Sequence, residues 1–272
     1  MKKDLNVSII QTSVFWEDPE ANLSLFDNHL SKIIIGSSDL IVLPEMFSTG
    51  YSMNNKLLCE SMSGRTITWM ALKAKEKNCV ITGSVIISEN SHYYNRLIWM
   101  KPDGRYEHYD KKHLFRFANE QDFYSAGTKK IIVELNGWKI CPLICYDLRF
   151  PVWCRNKFNT QNPTPEMDYD LLLFVANWPE RRNVPWKTLL MARAMENQCF
   201  VVGVNRIGSD GNNIVHSGDS AVINPKGEII SIIKAHEESV ETISLSMSDL
   251  ESWRKAFPAW MDGDEFRILS KS

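Results

Sequence analysis

Short runs of apolar, β-branched residues alternate along this chain with longer stretches whose apolar positions recur every three or four residues. The two patterns predict strands and helices in turn. Residues 5–13 (LNVSIIQTS) read as a first strand. Residues 22–34 place Leu23, Phe26, Leu30, Ile33 and Ile34 near helical spacing. Residues 39–46 (DLIVLPEM) form a short, fully apolar strand closed by a proline, followed by a second helix over 66–78 and a buried strand over 79–87. Residues 93–115 read as two strands joined through Asp103-Gly104, a strong hairpin signal, and residues 130–147 repeat the pattern around Asn136-Gly137. A further buried strand (169–177), a helix (186–198), a strand (199–208) and a last hairpin (217–233) complete the series.

Near-continuous apolar strands belong to sheets covered on both faces. The hairpins imply antiparallel pairs, which argues against a purely doubly wound sheet. The expectation is an α/β fold, a sandwich of two sheet layers with helices outside. No internal repeat, low-complexity stretch or Pro/Gly/Ser-rich linker divides the chain, so residues 1–272 read as one domain. The terminal segment 250–272 holds four aromatic rings, Trp253, Phe257, Trp260 and Phe266, and reads as a tail that docks.

A hydrophobic fraction of 44% over 272 residues allows a large core. The net charge is −2, and even the densest basic cluster, Lys111-Lys112, lies near Asp110 and Glu120. Nothing here points to a nucleic-acid or membrane-surface partner. The apolar run Val7 to Ile10 is too short for a signal-peptide core, and no run of about 18 apolar residues predicts a membrane span. Six scattered cysteines (59, 79, 141, 145, 154 and 199) read as reduced thiols of a cytoplasmic protein. Cys141 and Cys145 lack the second cysteine or histidine pair of a zinc site, and no glycine-rich phosphate loop or G-x-S-x-G elbow occurs. No metal or cofactor is expected, and a nucleophilic hydrolase is the chemical class that fits.

Three polar residues sit at or just past the ends of apolar strands, where ligands of α/β sheets gather. Glu45 follows LIVLP directly. Partial desolvation there raises a carboxylate toward the range of a general base; the alternative is a surface Glu capping a loop or pairing with a lysine. Lys111, in HYDKKHLF, faces inward if the strand continues past Asp110, since neighbouring lysines point to opposite faces; otherwise it is solvated. Cys145, in KICPLICYD, resembles a nucleophile on a sharp turn after a strand, where backbone N–H groups meet a developing oxyanion. A nearby ammonium lowers a thiol's pKa. The alternative is an inert buried cysteine. His113 opens a Cys–His reading, against that of a hydrogen-bonded structural histidine.

The segments LPEMFSTGY, YDKKHLF and LICYDLRFP, followed by ANWP and ARAMENQ, together resemble the nitrilase superfamily of carbon–nitrogen hydrolases. The resemblance spans nearly the whole chain. It implies a four-layer α-β-β-α sandwich with mixed sheets that pairs as a homodimer. It implies a triad of Glu45, Lys111 and Cys145, with Glu120 in NEQDFYSAG helping to position it. EMFSTGYSM, DKKHLFRFANE, CYDLRFPVWCRN and FPAWMDGDEF are closer to the ω-amidase branch, which hydrolyses 2-oxoglutaramate and 2-oxosuccinamate. The chain departs from many relatives at Pro151-Val152, where they carry Pro-Glu.

On this resemblance, Cys145 attacks the amide carbonyl while Glu45 takes its proton, ammonia leaves, and water hydrolyses the thioester. The distal carboxylate of such a substrate needs a cation. Arg149 is the candidate, its alternative being an ion pair with Asp147 or Glu196. Tyr146, Trp178, Phe47, Tyr51 and Phe117 are candidate pocket walls, each of which also suits a core. Nitriles and N-carbamoyl amines use the same triad, and a non-catalytic scaffold is the remaining alternative.

Overall fold

The computed structural model describes residues 3–159, 166–264 and 266–269. In chain order the principal elements are β1 (Leu5–Gln11), α1 (Pro19–Ser31), β2 (Leu40–Val42), α2 (Arg65–Lys77), β3 (Val80–Glu89), β4 (His92–Met100) and β5 (Tyr106–Asp110). They continue with β6 (Val133–Leu135), β7 (Trp138–Ile144), β8 (Leu171–Ala176), α3 (Asn183–Asn197), β9 (Phe200–Asn205), β10 (Ala221–Ile223), β11 (Ser239–Leu245) and α4 (Met247–Ala256). Local chemistry sets the helix ends. Asp18 caps α1 by accepting from the Ala21 amide, with Pro19 at the first helical position, and Asn78 closes α2 in the left-handed region.

The strands form two mixed sheets, ordered β11-β1-β2-β3-β4-β5 and β10-β9-β8-β7-β6. The period-2 alternation of each strand of the first sheet decides what it covers. Val7, Ile9, Leu40, Val42, Leu97 and Trp99 pack toward the second sheet. Ile10, Ile41, Ile81, Ile98 and Met100 pack under α1 and α2, against Phe26, Leu30, Ile67 and Met70. On the second sheet, α3 brings Trp186, Leu190 and Ala194 into the core, and α4 adds Met247 and Leu250. Each buried aliphatic side chain contributes about 1.5–3 kcal/mol. The result is the expected α-β-β-α sandwich with mixed sheets.

Three features differ from the sequence pattern. The strand expected over 39–46 is shorter, Leu40–Val42: the Leu43 amide makes a last bond to the Thr82 carbonyl (2.8 Å), and Pro44 has no N–H to donate. The hairpin expected over 217–233 keeps one arm, β10, paired to β9; the return is a single bridge, Ile223 to Ile229. β11, absent from the pattern, pairs antiparallel with all of β1, from Leu5–Leu245 to Gln11–Ser239. Thr242 and Ser244 on its outward face are polar and exposed, which dilutes its apolar signal.

The terminal segment lies on its own chain. Arg254 donates to Asp170 (2.7 Å), the Tyr169 carbonyl (2.9 Å) and the Gln198 carbonyl (2.8 Å). Trp260 meets Phe158 at 4.0 Å between ring centroids, and Lys157 donates to the Phe266 carbonyl. Residues 265 and 270–272 of this segment lie outside the described residues.

Candidate active site

Four strand ends meet at one point. β2 leads into Glu45, β5 into Lys111, β7 into Cys145 and β8 into Asn177. The Lys111 ammonium is fully buried and donates to Glu45 Oε1 (2.9 Å) and to both Glu120 oxygens (3.1 and 3.0 Å). Glu45 and Glu120 are themselves 0% exposed. Asn95 Nδ2 donates to Glu45 Oε1 at 2.8 Å, and the Asn177 backbone N–H donates to Glu45 Oε2 at 2.8 Å. The Phe115 amide donates to Glu120 Oε2 at 2.6 Å. Every oxygen of the two carboxylates therefore has a partner, which buried charges require.

Cys145 opens a 3-10 turn, Cys145–Arg149, and holds φ at +43°, in the left-handed region that β-carbons disfavour. Asp147 fixes this turn. Its Oδ2 accepts from the Ile144 amide (3.1 Å) and the Tyr109 hydroxyl (2.8 Å). Its Oδ1 accepts from the His113 amide (3.0 Å) and bonds His113 Nδ1 (2.7 Å). One carboxylate thus ties the cysteine turn to the segment that carries Lys111. His113 also stacks flat on Phe150, with centroids 3.7 Å apart, and does not line the cavity. That geometry is of a structural histidine and leaves the Cys–His reading without its base.

Electrostatics corrects one expectation. Burial, and then the Glu45 carboxylate, push the Cys145 thiol well above its ordinary value; Lys111 and the Asn177 amide pull the other way without prevailing. The resting group is a neutral thiol rather than a thiolate set up by the ammonium. Burial alone would lower Lys111, but the charges of Glu120 and Glu45 outweigh it and hold the ammonium above its ordinary range. A protonated nucleophile, a carboxylate able to take its proton and a fixed cation are the parts that addition to a carbonyl needs.

Lys111, Cys145, Tyr51, Tyr146, Asn177 and Trp178 line a cavity of about 150 Å³. This is smaller than the ~300–1,000 Å³ of pockets for drug-sized ligands. Arg149 lines it too, its guanidinium 4.9 Å from the Trp178 ring centroid. The alternative ion pairs for Arg149 are absent among the described residues: Asp147 is engaged as above, and Glu196 pairs with Arg193 at 2.9 Å. Two further guanidiniums, Arg181 and Arg182, share the lining and reach over the exposed Phe117 ring at 5.5 and 5.3 Å. Burial, then the charges of Arg181 and Arg149, lower the Arg182 pKa, the mark of a crowded cationic wall. Phe47 is a correction: it lies under α1 and α2 between Phe26 (5.3 Å) and Trp69 (5.8 Å), as core rather than cavity wall. Sequence reasoning missed Asn95, Asn177, Arg181 and Arg182. The pair of arginines just after ANWP was the one available signal.

A layered α/β sandwich that brings thiol and ammonium to one cavity, with a carboxylate bonded to the ammonium just behind, defines a hydrolase of the nitrilase superfamily. The chain belongs to the carbon–nitrogen hydrolase family, whose profile matches residues 6–255. It is 46% identical to the omega-amidase YafV of Escherichia coli K12 over 97% of this chain and 98% of that one. It is 32% identical to the 2-oxoglutaramate amidase of Bacillus subtilis over 94% of this chain and 96% of that one. A CN-hydrolase superfamily protein from Xanthomonas campestris, solved with an arsenic adduct in its active site, superposes with a TM-score of 0.93 at 46% identity, covering 98% of this chain and 99% of that one. Among the described residues no helix is long and apolar enough to cross a membrane.

Proposed function

We propose that this chain is an ω-amidase that hydrolyses the terminal amide of 2-oxoglutaramate or 2-oxosuccinamate through a thioester on Cys145. The observation that carries the reading is that Cys145 and Lys111 line one small cavity walled by three guanidiniums, with the Glu45 carboxylate buried behind them and bonded to Lys111 at 2.9 Å. The names of the full-length relatives support the substrate class. Glu45 takes the thiol proton as Sγ attacks the amide carbon. Lys111 and the Tyr146 backbone N–H stabilise the oxyanion, each such donor contributing about 3–4 kcal/mol in the transition state. The tetrahedral adduct collapses, the C–N bond breaks, and ammonia leaves with the proton from Glu45. Glu45 then deprotonates a water that attacks the thioester, releasing the acid and restoring the thiol. Glu120 holds Lys111 in place. Arg149, Arg181 and Arg182 receive the carboxylate of the 2-oxo acid, and Tyr51, Tyr146, Trp178 and Phe117 wall the cavity.

In this reading residues 1–272 act as one catalytic domain, with 250–272 a docking tail, in a cytoplasmic homodimer. Six free cysteines fit a reducing compartment. Sedimentation equilibrium is expected to return twice the chain mass. The decisive assay measures ammonia release from 2-oxoglutaramate, glutamine, a simple nitrile and an N-carbamoyl amino acid, with mass spectrometry of the quenched enzyme. Acyl mass is expected on Cys145 and on no other cysteine. Turnover of the nitrile or the carbamoyl compound alone would overturn the substrate.

A further inference from the structure

Asn177 is 5% exposed and lines the cavity beside Cys145, and none of the steps above uses its side chain. Its backbone N–H holds Glu45 Oε2 at 2.8 Å, and its side-chain Nδ2 donates to the Glu45 carbonyl oxygen at 2.5 Å. The second bond fixes the amide's orientation, because the flipped form would set two oxygens against each other. Oδ1 is therefore committed to the other side, and there it has no hydrogen-bond partner in the protein. A buried acceptor left unpaired costs about 1–3 kcal/mol, so the site favours an occupant that brings a donor.

We infer that Asn177 is a specificity-determining residue: its Oδ1 accepts an N–H of the scissile carboxamide while its backbone N–H orients Glu45. The inference rests on the proposed amidase reading and adds to it a reason for preferring amides. A primary amide carries two N–H donors on its leaving group. A nitrile or an ester carries none there, and a site built around an acceptor discriminates against them. The same contact turns the amide nitrogen's hydrogens toward Asn177, leaving its lone pair free for the proton that Glu45 returns.

The test compares 2-oxoglutaramate with the ω-methyl ester of 2-oxoglutarate. Both give the same Cys145 thioester; the ester releases methanol in place of ammonia. Asn177→Ala is expected to lower the amide-to-ester ratio of kcat/KM tenfold or more. Asn177→Asp keeps an oxygen at the Oδ1 position and loses the Nδ2 donor. It is expected to slow both substrates and hold the ratio within threefold of the unsubstituted enzyme. A ratio unchanged in Asn177→Ala, or lost equally in Asn177→Asp, overturns the inference. If Asn177→Ala does not fold, as absent ester turnover would reveal, the Asn177→Asp ratio decides alone. An unsubstituted enzyme inert toward both compounds would instead sink the amidase reading itself.

Discussion

Lys111 carries its charge at 0% exposure, which two carboxylates make tolerable. Taking one member out of such a cluster leaves the others buried without compensation. Lys111→Met is expected to lower kcat at least a hundredfold and to destabilise the fold by about 3–5 kcal/mol. Single-turnover kinetics and urea unfolding check the two effects separately; an active variant would remove Lys111 from the oxyanion site. His216, in the same cavity wall, behaves oppositely. Burial, then the Arg206 charge, push its pKa down to about 4 from 6.5. A depressed pKa means that the unfolded chain binds the proton first on acidification. The stability His216 contributes is present above pH 6.5 and is lost as pH falls toward 4, by up to about 1.4 kcal/mol per pH unit. His216→Gln is expected to flatten that acid limb of the stability profile; an unchanged limb would place the titration elsewhere.

At the scale of elements, the site depends on how closely backbone segments approach. Gly127 donates its N–H to the Lys111 carbonyl at 2.9 Å, and a β-carbon there would stand 2.0 Å from the Asp110 carbonyl oxygen. Backbone cannot give way as a flexible side chain can. Gly127→Ala is expected to displace the end of β5, to cost more than the ~1–3 kcal/mol typical of overpacking, and to reduce acylation through Lys111. Thermal unfolding and thioester formation measure the two effects, and a wild-type rate would show that β5 tolerates the shift. The elements themselves were legible where burial is two-sided. β8 and most of β9 are runs of apolar residues, and the Asp103-Gly104 and Asn136-Gly137 turns fall where the chain reverses. β11 was illegible because it is the outer strand of its sheet, with alternate residues in water.

For the molecule as a whole, five thiols are buried, four of them away from the cavity and Cys145 on it. Burial pushes Cys79 and Cys141 up to about 12 from 9.0, and raises Cys145, Cys154 and Cys199 as well. As pH rises through about 9, these thiols ionise in the unfolded chain but not in the native one. The native state then holds more protons, so the stability present below pH 9 declines above it, by up to about 1.4 kcal/mol per pH unit for each thiol. Urea midpoints taken at pH 8, 9 and 10 are expected to fall with increasing steepness. A flat profile would mean that the thiols exchange protons with solvent in the folded state.

The sequence by itself determined the alternation of apolar strands and helices wherever burial is two-sided, because apolar periodicity is a local property that a segment carries by itself. It also marked Glu45, Lys111 and Cys145, which stand where apolar runs break into polar residues and within motifs that resemble one family. Only the tertiary structure decided the rest. It put Phe47 in the core and Arg181 and Arg182 on the cavity wall. It joined Asp147 to His113, and Asn177 to Glu45 across 132 positions. Such contacts depend on which strand ends face each other, and no single segment records that. The shift of the Cys145 thiol followed the same rule: burial in the assembled core raises it first, and the Glu45 carboxylate that adds to it arrives from the opposite sheet.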